Sequence, residues 1–132
     1  MTVHNITTHP VHLGLGAKVS PQPEMTGGLD WYAAYAARTA GDGAEGRLVS
    51  QFNFNEPWTM WEMHPAGDEM VLCLSGEIVL HQEAADRSVT SLRLGPGDYA
   101  INPPGVWHTA DVEGPATALF ITAGLGTEHR AR

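Results

Sequence analysis

The sequence has little of what a disulfide scaffold, a nucleic-acid binder or a membrane protein needs. Its single cysteine, Cys73, cannot form an internal disulfide, so the fold must rely on packing. Lysine and arginine total 7 against 15 aspartates and glutamates, and the formal net charge of -8 argues against DNA or RNA as a partner. No apolar run is long enough to cross a membrane, and residues 1–16 lack the basic start and apolar middle of a signal peptide. We therefore expect a cytoplasmic protein.

The pattern from residue 48 onward is that of β-structure. Short runs that alternate apolar and polar residues are separated by turns rich in glycine, proline, serine and aspartate. Such a series predicts an antiparallel barrel or double-sheet sandwich of the jelly-roll class. The predicted strands are 48–53, 58–64, 70–74, 77–81, 88–94, 99–102, 107–112 and 117–123.

The segments on either side of this core have different patterns. Residues 1–47 form a turn-rich arm, with an edge strand near 11–15 and a short helix over 30–38 that begins at a capping Asp30. We expect this helix to pack on the barrel. In one alternative, Tyr32 or Tyr35 points toward a ligand together with Arg38. In the other, the aromatic side chains serve only as anchors. Residues 48–123 make the barrel core. The polar tail, 124–132, is expected to be extended or disordered beyond the barrel.

Two short stretches carry the donor groups that hold a divalent transition metal, namely imidazoles and carboxylates. The first contains Glu62, His64, Glu69 and Gly76, and the second contains Gly97, Pro103, Gly105 and His108.

The spacing of these residues resembles the two sequence motifs of the cupin superfamily. In the first motif, a histidine pair is followed after a short gap by a glutamate and, after six further residues, by a glycine. The second motif begins with a glycine, which is followed by five residues, a proline, any residue and a second glycine. Two further residues then lead to a histidine. Both fit this chain without insertion. The resemblance implies a small single-domain jelly-roll barrel in which His64, Glu69 and His108 bind a metal.

The chain departs from the family pattern at two positions. Glu62 stands where the first motif has its first histidine, and Val112 stands where the second motif closes with asparagine. Because side chains alternate along a strand, Glu62 would share a face with Met60 and His64, which is where a ligand should point. We therefore include Glu62 in the ligand set. A carboxylate there moves the preference away from copper and toward iron, manganese, zinc or nickel.

The residues expected to line the pocket are mainly apolar. They are Met60, Val71, Cys73, Trp107 and Val112. Nothing near Cys73 in the sequence indicates a lowered thiol pKa, so we do not expect it to be a nucleophile.

The resemblance implies a barrel that acts on a small organic molecule through one divalent transition metal, by dioxygenation, isomerisation or a lyase-type elimination. The alternatives are a non-catalytic module that binds a small ligand at a degenerate metal site, and an accessory or structural dimer with an incidental pocket. A homodimer is expected in any case, because pairing would cover the edge strands of a small barrel.

Overall fold

The fold is built from short strands in two antiparallel sheets, described here for residues 2–132 from a computed structural model. Along that part of the chain the strands are β1 (Val11–Leu13), β2 (Val19–Pro21), β3 (Arg47–Phe54), β4 (Met60–Met63), β5 (Glu69–Ser75), β6 (Ile78–Glu83), β7 (Val89–Leu94), β8 (Tyr99–Asn102), β9 (Trp107–Asp111), β10 (Ala116–Thr122) and β11 (Glu128–Ala131). Helix α1 spans Leu29–Thr39, and short 3-10 segments cover Leu15–Ala17 and Ala40–Glu45.

The two sheets pack face to face around one apolar core. Sheet A has the order β2-β1-β3-β10-β5-β8, and sheet B has the order β11-β4-β9-β6-β7. The core side chains come from both sheets, because alternation along each strand turns every second residue inward. They include Val71, Cys73, Ile78, Leu80, Leu94, Ala110, Val112, Ala116, Ala118 and Phe120. This architecture confirms the predicted all-β jelly-roll class.

The amino-terminal strands differ from the prediction. The strand near residue 11 is shorter than expected and is not an edge, since β1 pairs with both β2 and β3. The edge is β2, which the sequence pattern did not reveal. Pro21 fits this position, because a proline lacks the N–H that an interior strand would have to donate.

Helix α1 is anchored by two of its aromatic side chains, Trp31 and Tyr35. Trp31 is buried and stacks on Tyr35 with ring centroids 5.6 Å apart. The buried His12 of β1 joins the hydroxyl of Tyr35 at 2.7 Å to the carboxylate of Asp42 at 2.6 Å. Gly28, rather than Asp30, occupies the N-cap. Asp30 lies within the first turn, where a negative charge still favours the helix.

The carboxyl-terminal residues are part of the fold, which corrects the expectation of a tail that is extended or disordered beyond the barrel. Strand β11 pairs with β4 over four residues and forms the edge of sheet B. Sequence reasoning missed it because a short polar strand has no periodicity of its own, and its pairing with β4 is a tertiary contact.

The connection between β5 and β6, around Gly76, carries the chain from sheet A to sheet B and is therefore not a hairpin. Gly76 has a φ of 73°, in the left-handed region that favours glycine. A Cβ at this position would lie 2.3 Å from the carbonyl oxygen of Pro115 and 2.9 Å from Cα of Ala116. The crossover therefore requires glycine for both its backbone conformation and its close approach.

Within residues 2–132, no helix has the length and apolar character needed to span a membrane.

We expect Gly76→Ala to lower the free energy of unfolding by about 2–4 kcal/mol, because it combines left-handed strain with a clash against the backbone. The matched control is Gly97→Ala, since Gly97 has a φ of 89° but no atom within 4 Å of a built Cβ. That control should lose only about 1–2 kcal/mol for the left-handed conformation. Urea unfolding of both variants measures the difference, and equal losses would contradict the close-approach argument.

Candidate metal centre

A cluster of buried or half-buried polar and charged side chains adjoins the apolar core. Sheet B contributes a row of directly opposed residues, in which His129 of β11 faces Glu62 of β4, Glu62 faces His108 of β9, and His108 faces Gln82 of β6. Directly opposed residues in antiparallel strands lie on the same face of the sheet. His108 has no exposed surface, so this row points into the barrel.

Sheet A contributes Glu69, the first residue of β5, whose carboxylate is held at both oxygens. Asn102 Nδ2 donates to Oε1 at 3.0 Å, and the Thr122 hydroxyl donates to Oε2 at 2.6 Å. Only 3% of Glu69 is exposed. Asn102 is itself held by Gln82, whose Nε2 donates to Asn102 Oδ1 at 2.8 Å. These bonds give the carboxylate a single orientation toward sheet B.

His64 lies immediately after β4, and its hydrogen bonds set its tautomer. Nδ1 of His64 lies 2.7 Å from the hydroxyl of Thr127, which itself donates to the carbonyl oxygen of Gly124 at 2.8 Å. A hydroxyl has one proton, so Thr127 must accept from Nδ1–H of His64. The Nε2 atom of His64 then carries the lone pair that a metal needs.

His108 is oriented in the same way by a weaker contact. Its Nδ1 lies 3.4 Å from the carbonyl oxygen of Val106, so Nε2 faces the interior. The Nε2 atoms of both His64 and His108 are buried and make no well-aligned hydrogen bond within the described residues, although each lies 3.1 Å from an oxygen of Glu69. Buried polar nitrogens without partners are rare in folded proteins and call for an explanation such as a bound ion.

The donor atoms of four side chains converge on one small space. Nε2 of His64 and Nε2 of His108 each lie 3.1 Å from an oxygen of Glu69. Oε2 of Glu62 lies 3.8 Å from both nitrogens. Ligand atoms of Glu62, His64 and His108 all fall within 4.8 Å of one another.

This donor set fits a divalent cation. With metal–donor bonds of about 2.1 Å, adjacent donors of an octahedral site lie about 3.0 Å apart, close to the separations around Glu69. Glu62 must approach by several tenths of an ångström to join them. The Glu62 side chain is 31% exposed, so it has room to move that far.

The electrostatics of the centre couple Glu69 to the histidines. Burial by itself raises the pKa of Glu69, but His108 and His64 outweigh it and hold that pKa well below its usual range. Burial likewise lowers the pKa of His108, whereas Glu62 and Glu69 outweigh it and raise that pKa to about 9. A protonated His108 is thus a counterion that a divalent metal would displace, with release of a proton.

One aromatic residue of helix α1, Tyr32, lies within electrostatic reach of this centre. Burial, followed by the charges of Glu62 and Glu69, raises the pKa of Tyr32 to about 12. Tyr32 itself is 39% exposed. Of the other helix residues predicted to point toward a ligand, Tyr35 bonds His12 and Arg38 bonds Gln22 instead.

The residues expected to line the pocket are distributed over three environments. Val71, Cys73 and Val112 belong to the apolar core, and burial raises the pKa of the Cys73 thiol. Met60 lies at the barrel end and is 37% exposed. Trp107 lies next to His108 in β9 and therefore on the opposite face of the sheet, with the Arg130 guanidinium 4.6 Å from its ring. It does not join the ligand cluster.

Sequence reasoning missed the residues that hold the donors. Thr122, Thr127 and His129 belong to neither motif, and only the folded chain brings them to the centre. Asn102 had a weak signal, because it is the one polar residue of β8 and directly precedes the bend at Pro103.

Three solved structures share the fold of this chain. Hydroquinone 1,2-dioxygenase from Sphingomonas sp. TTNP3, with 4-hydroxybenzoate bound, matches with 21% identity and a TM-score of 0.52 over 58% of this chain and 59% of its own. An oxalate oxidase matches with 17% identity and a TM-score of 0.57 over 70% and 50%. Fe(II)-HppE with the alternative substrate (S)-1-HPP matches with 16% identity and a TM-score of 0.50 over 58% and 42%.

These matches cover less than two thirds of each solved chain, and at such identities they establish the fold alone. No curated protein matches this chain in sequence. The family model described as the cupin domain matches residues 52–123. Because that match spans more than half of the chain and contains all the donors described above, this protein belongs to the cupin domain family.

Proposed function

We propose that this protein binds one divalent transition metal through Glu62, His64, Glu69 and His108, and that it acts there on a small organic molecule. The observation that carries the proposal is the pair of buried imidazole Nε2 atoms that make no well-aligned hydrogen bond and converge on two carboxylates. The mixed imidazole and carboxylate set favours iron, manganese, zinc or nickel.

The four side chains would play unequal roles. Glu69 is buried and held at both oxygens, so it is suited to remain a ligand throughout a reaction. Glu62 is 31% exposed and has no such clamp on Oε2, so it is the carboxylate able to take a proton from a substrate. Tyr32, which is 39% exposed and feels the charges of both carboxylates, would be the helix residue to contact a bound molecule.

A bound metal would supply a Lewis acid and, for iron or manganese, a redox centre. Dioxygenation, isomerisation and lyase-type elimination are all compatible with that chemistry. The solved structures with the same fold include a dioxygenase and an oxidase, which supports testing oxidative reactions on small phenols and carboxylic acids first.

The competing proposal is a non-catalytic module that binds a small ligand at a degenerate site. It is favoured by the longer separation of Glu62 Oε2 from the histidines, 3.8 Å against 3.1 Å for Glu69. It is also favoured by the ion pair between Glu69 and a protonated His108, which stabilises the buried carboxylate without any metal.

The partner proposed in addition to the small molecule is a second copy of this chain. Two rows of side chains on the outer face of sheet A are almost entirely apolar, and such a continuous face is typical of an interface. The first row is Val11, Val49, Ile121, Met70 and Ile101, and the second is Gln51, Leu119, Leu72 and Tyr99. Tyr99 and Ile101 are more than half exposed.

A cytoplasmic location stays a prediction from the sequence.

We expect near-stoichiometric metal in wild-type protein produced with iron, manganese, zinc and nickel available, as measured by elemental analysis after dialysis. Glu69→Gln and His108→Ala each remove a proposed ligand, so they should weaken metal affinity by more than the roughly 10- to 100-fold typical of changes outside the ligand set. His4→Ala is the control, since His4 is exposed and belongs to neither motif. Metal-free wild-type protein under all four conditions would leave the ligand-binding module as the better proposal.

For the dimer, we expect Ile101→Glu to convert the protein to a monomer in sedimentation velocity runs. The reason is that burying an unpaired carboxylate in an apolar interface costs several kcal/mol. Val89→Glu is the matched control, because Val89 is 50% exposed but lies on sheet B. A wild-type monomer at every concentration, or a dimer that survives Ile101→Glu, would contradict this interface.

A further inference from the structure

The two carboxylate oxygens of Glu62 face different partners. Oε2 lies 3.8 Å from Nε2 of both His64 and His108, whereas Oε1 lies 3.3 Å from Nε2 of His129. His129 belongs to neither cupin motif and is 43% exposed. The contact of His129 Nε2 with the centre is to the carboxylate of Glu62, so His129 approaches the centre through Glu62.

The same segment also contacts a second proposed ligand, His64. Thr127, two residues before His129, accepts the hydrogen bond that leaves Nε2 of His64 free to face the interior. Residues 127–129, which are more than 60 positions from β4 in sequence, thus contact two of the four proposed ligands.

The register of β11 is fixed by contacts on its other face. The Arg130 guanidinium lies 5.0 Å from the ring of Trp61 and 4.6 Å from the ring of Trp107, and it pairs with Glu83. Arg132 pairs with Asp111 at 2.7 Å. Because a slip by one residue would turn every side chain of β11 to the opposite face, these outer contacts keep His129 on the inner face beside Glu62.

We propose that His129 and Thr127 are positioning residues of the metal centre, with His129 donating Nε2–H to Oε1 of Glu62 so that Oε2 turns toward the metal, and Thr127 holding the tautomer of His64. This inference rests on the proposed metal function. It explains how a carboxylate can stand where the family motif has a histidine: a longer and more flexible ligand is held in place by a neighbouring strand. Imidazole and carboxylate ligands in metal sites are commonly oriented by such neighbours, whose removal weakens metal binding.

Titration of metal-free protein with Co²⁺, followed by visible absorption, tests the inference. The absorption bands report the coordination geometry, and the titration reports the affinity. His129→Leu should weaken Co²⁺ binding by about 10- to 100-fold and shift the bands, because Glu62 loses its fixed orientation. His129→Gln keeps an N–H at a similar reach and should restore most of both. Thr127→Val should weaken Co²⁺ binding, because it removes the hydroxyl that accepts from Nδ1–H of His64. Thr127→Ser keeps that hydroxyl and should retain binding.

Coupling between residues gives a sharper result. In a Glu62→Gln background, His129→Leu should have little further effect on affinity, because the residue through which it acts is already changed. His4→Leu is the control for loss of an imidazole elsewhere, and thermal unfolding of each metal-free variant checks that β11 remains folded.

The outcomes separate this inference from the proposed function. Wild-type protein that binds no Co²⁺ would overturn both. Wild-type binding together with unchanged affinity and bands in His129→Leu and Thr127→Val would overturn the positioning role alone. Equal losses in His129→Leu and His129→Gln would also overturn it, because they would show that binding depends on the docking of β11 and not on a donor at this position.

Discussion

A carboxylate buried inside the barrel is the constraint on which the rest of the centre depends. Glu69 is 3% exposed, yet its pKa is held well below its usual range, so it is charged in a place where charge is unfavourable. Two hydrogen bonds, from Asn102 and Thr122, stabilise its oxygens, and two imidazoles lie 3.1 Å away. A positive charge must share this space, whether it is a protonated His108 or a divalent metal.

The barrel brings this arrangement about by placing donors on both sheets. Glu69 comes from sheet A, whereas Glu62 and His108 are directly opposed on sheet B, and His64 follows the same strand as Glu62. The apolar core beneath them keeps the two sheets at a fixed separation, and close packing leaves little freedom to change it. The geometry of the centre is therefore a consequence of the packing of the whole barrel, including the tight crossover at Gly76.

The carboxyl-terminal strand shows how the two faces of one short element serve different purposes. Its outward Arg130 packs against Trp61 and Trp107, and its inward His129 meets Glu62. Trp107, which the sequence pattern placed at a pocket, lies on the outward face because it neighbours the inward His108 in β9. Adjacent residues of a strand cannot both point inward, so the inward position of His108 places Trp107 on the outer face.

The sequence by itself determined the class of fold and most of the strands, and it supplied the proposed set of donor residues. Alternation of apolar and polar residues, turn residues and the spacing of two short motifs are local properties, and local properties can be read along a chain. The tertiary structure alone decided that β2 and β11 join the sheets, that Asn102, Thr122 and Thr127 hold the donors, and that His129 stands beside Glu62. Those contacts join residues 33 to 67 positions apart, and their register follows from how strands pair and pack in space, which no local pattern of a short polar segment encodes.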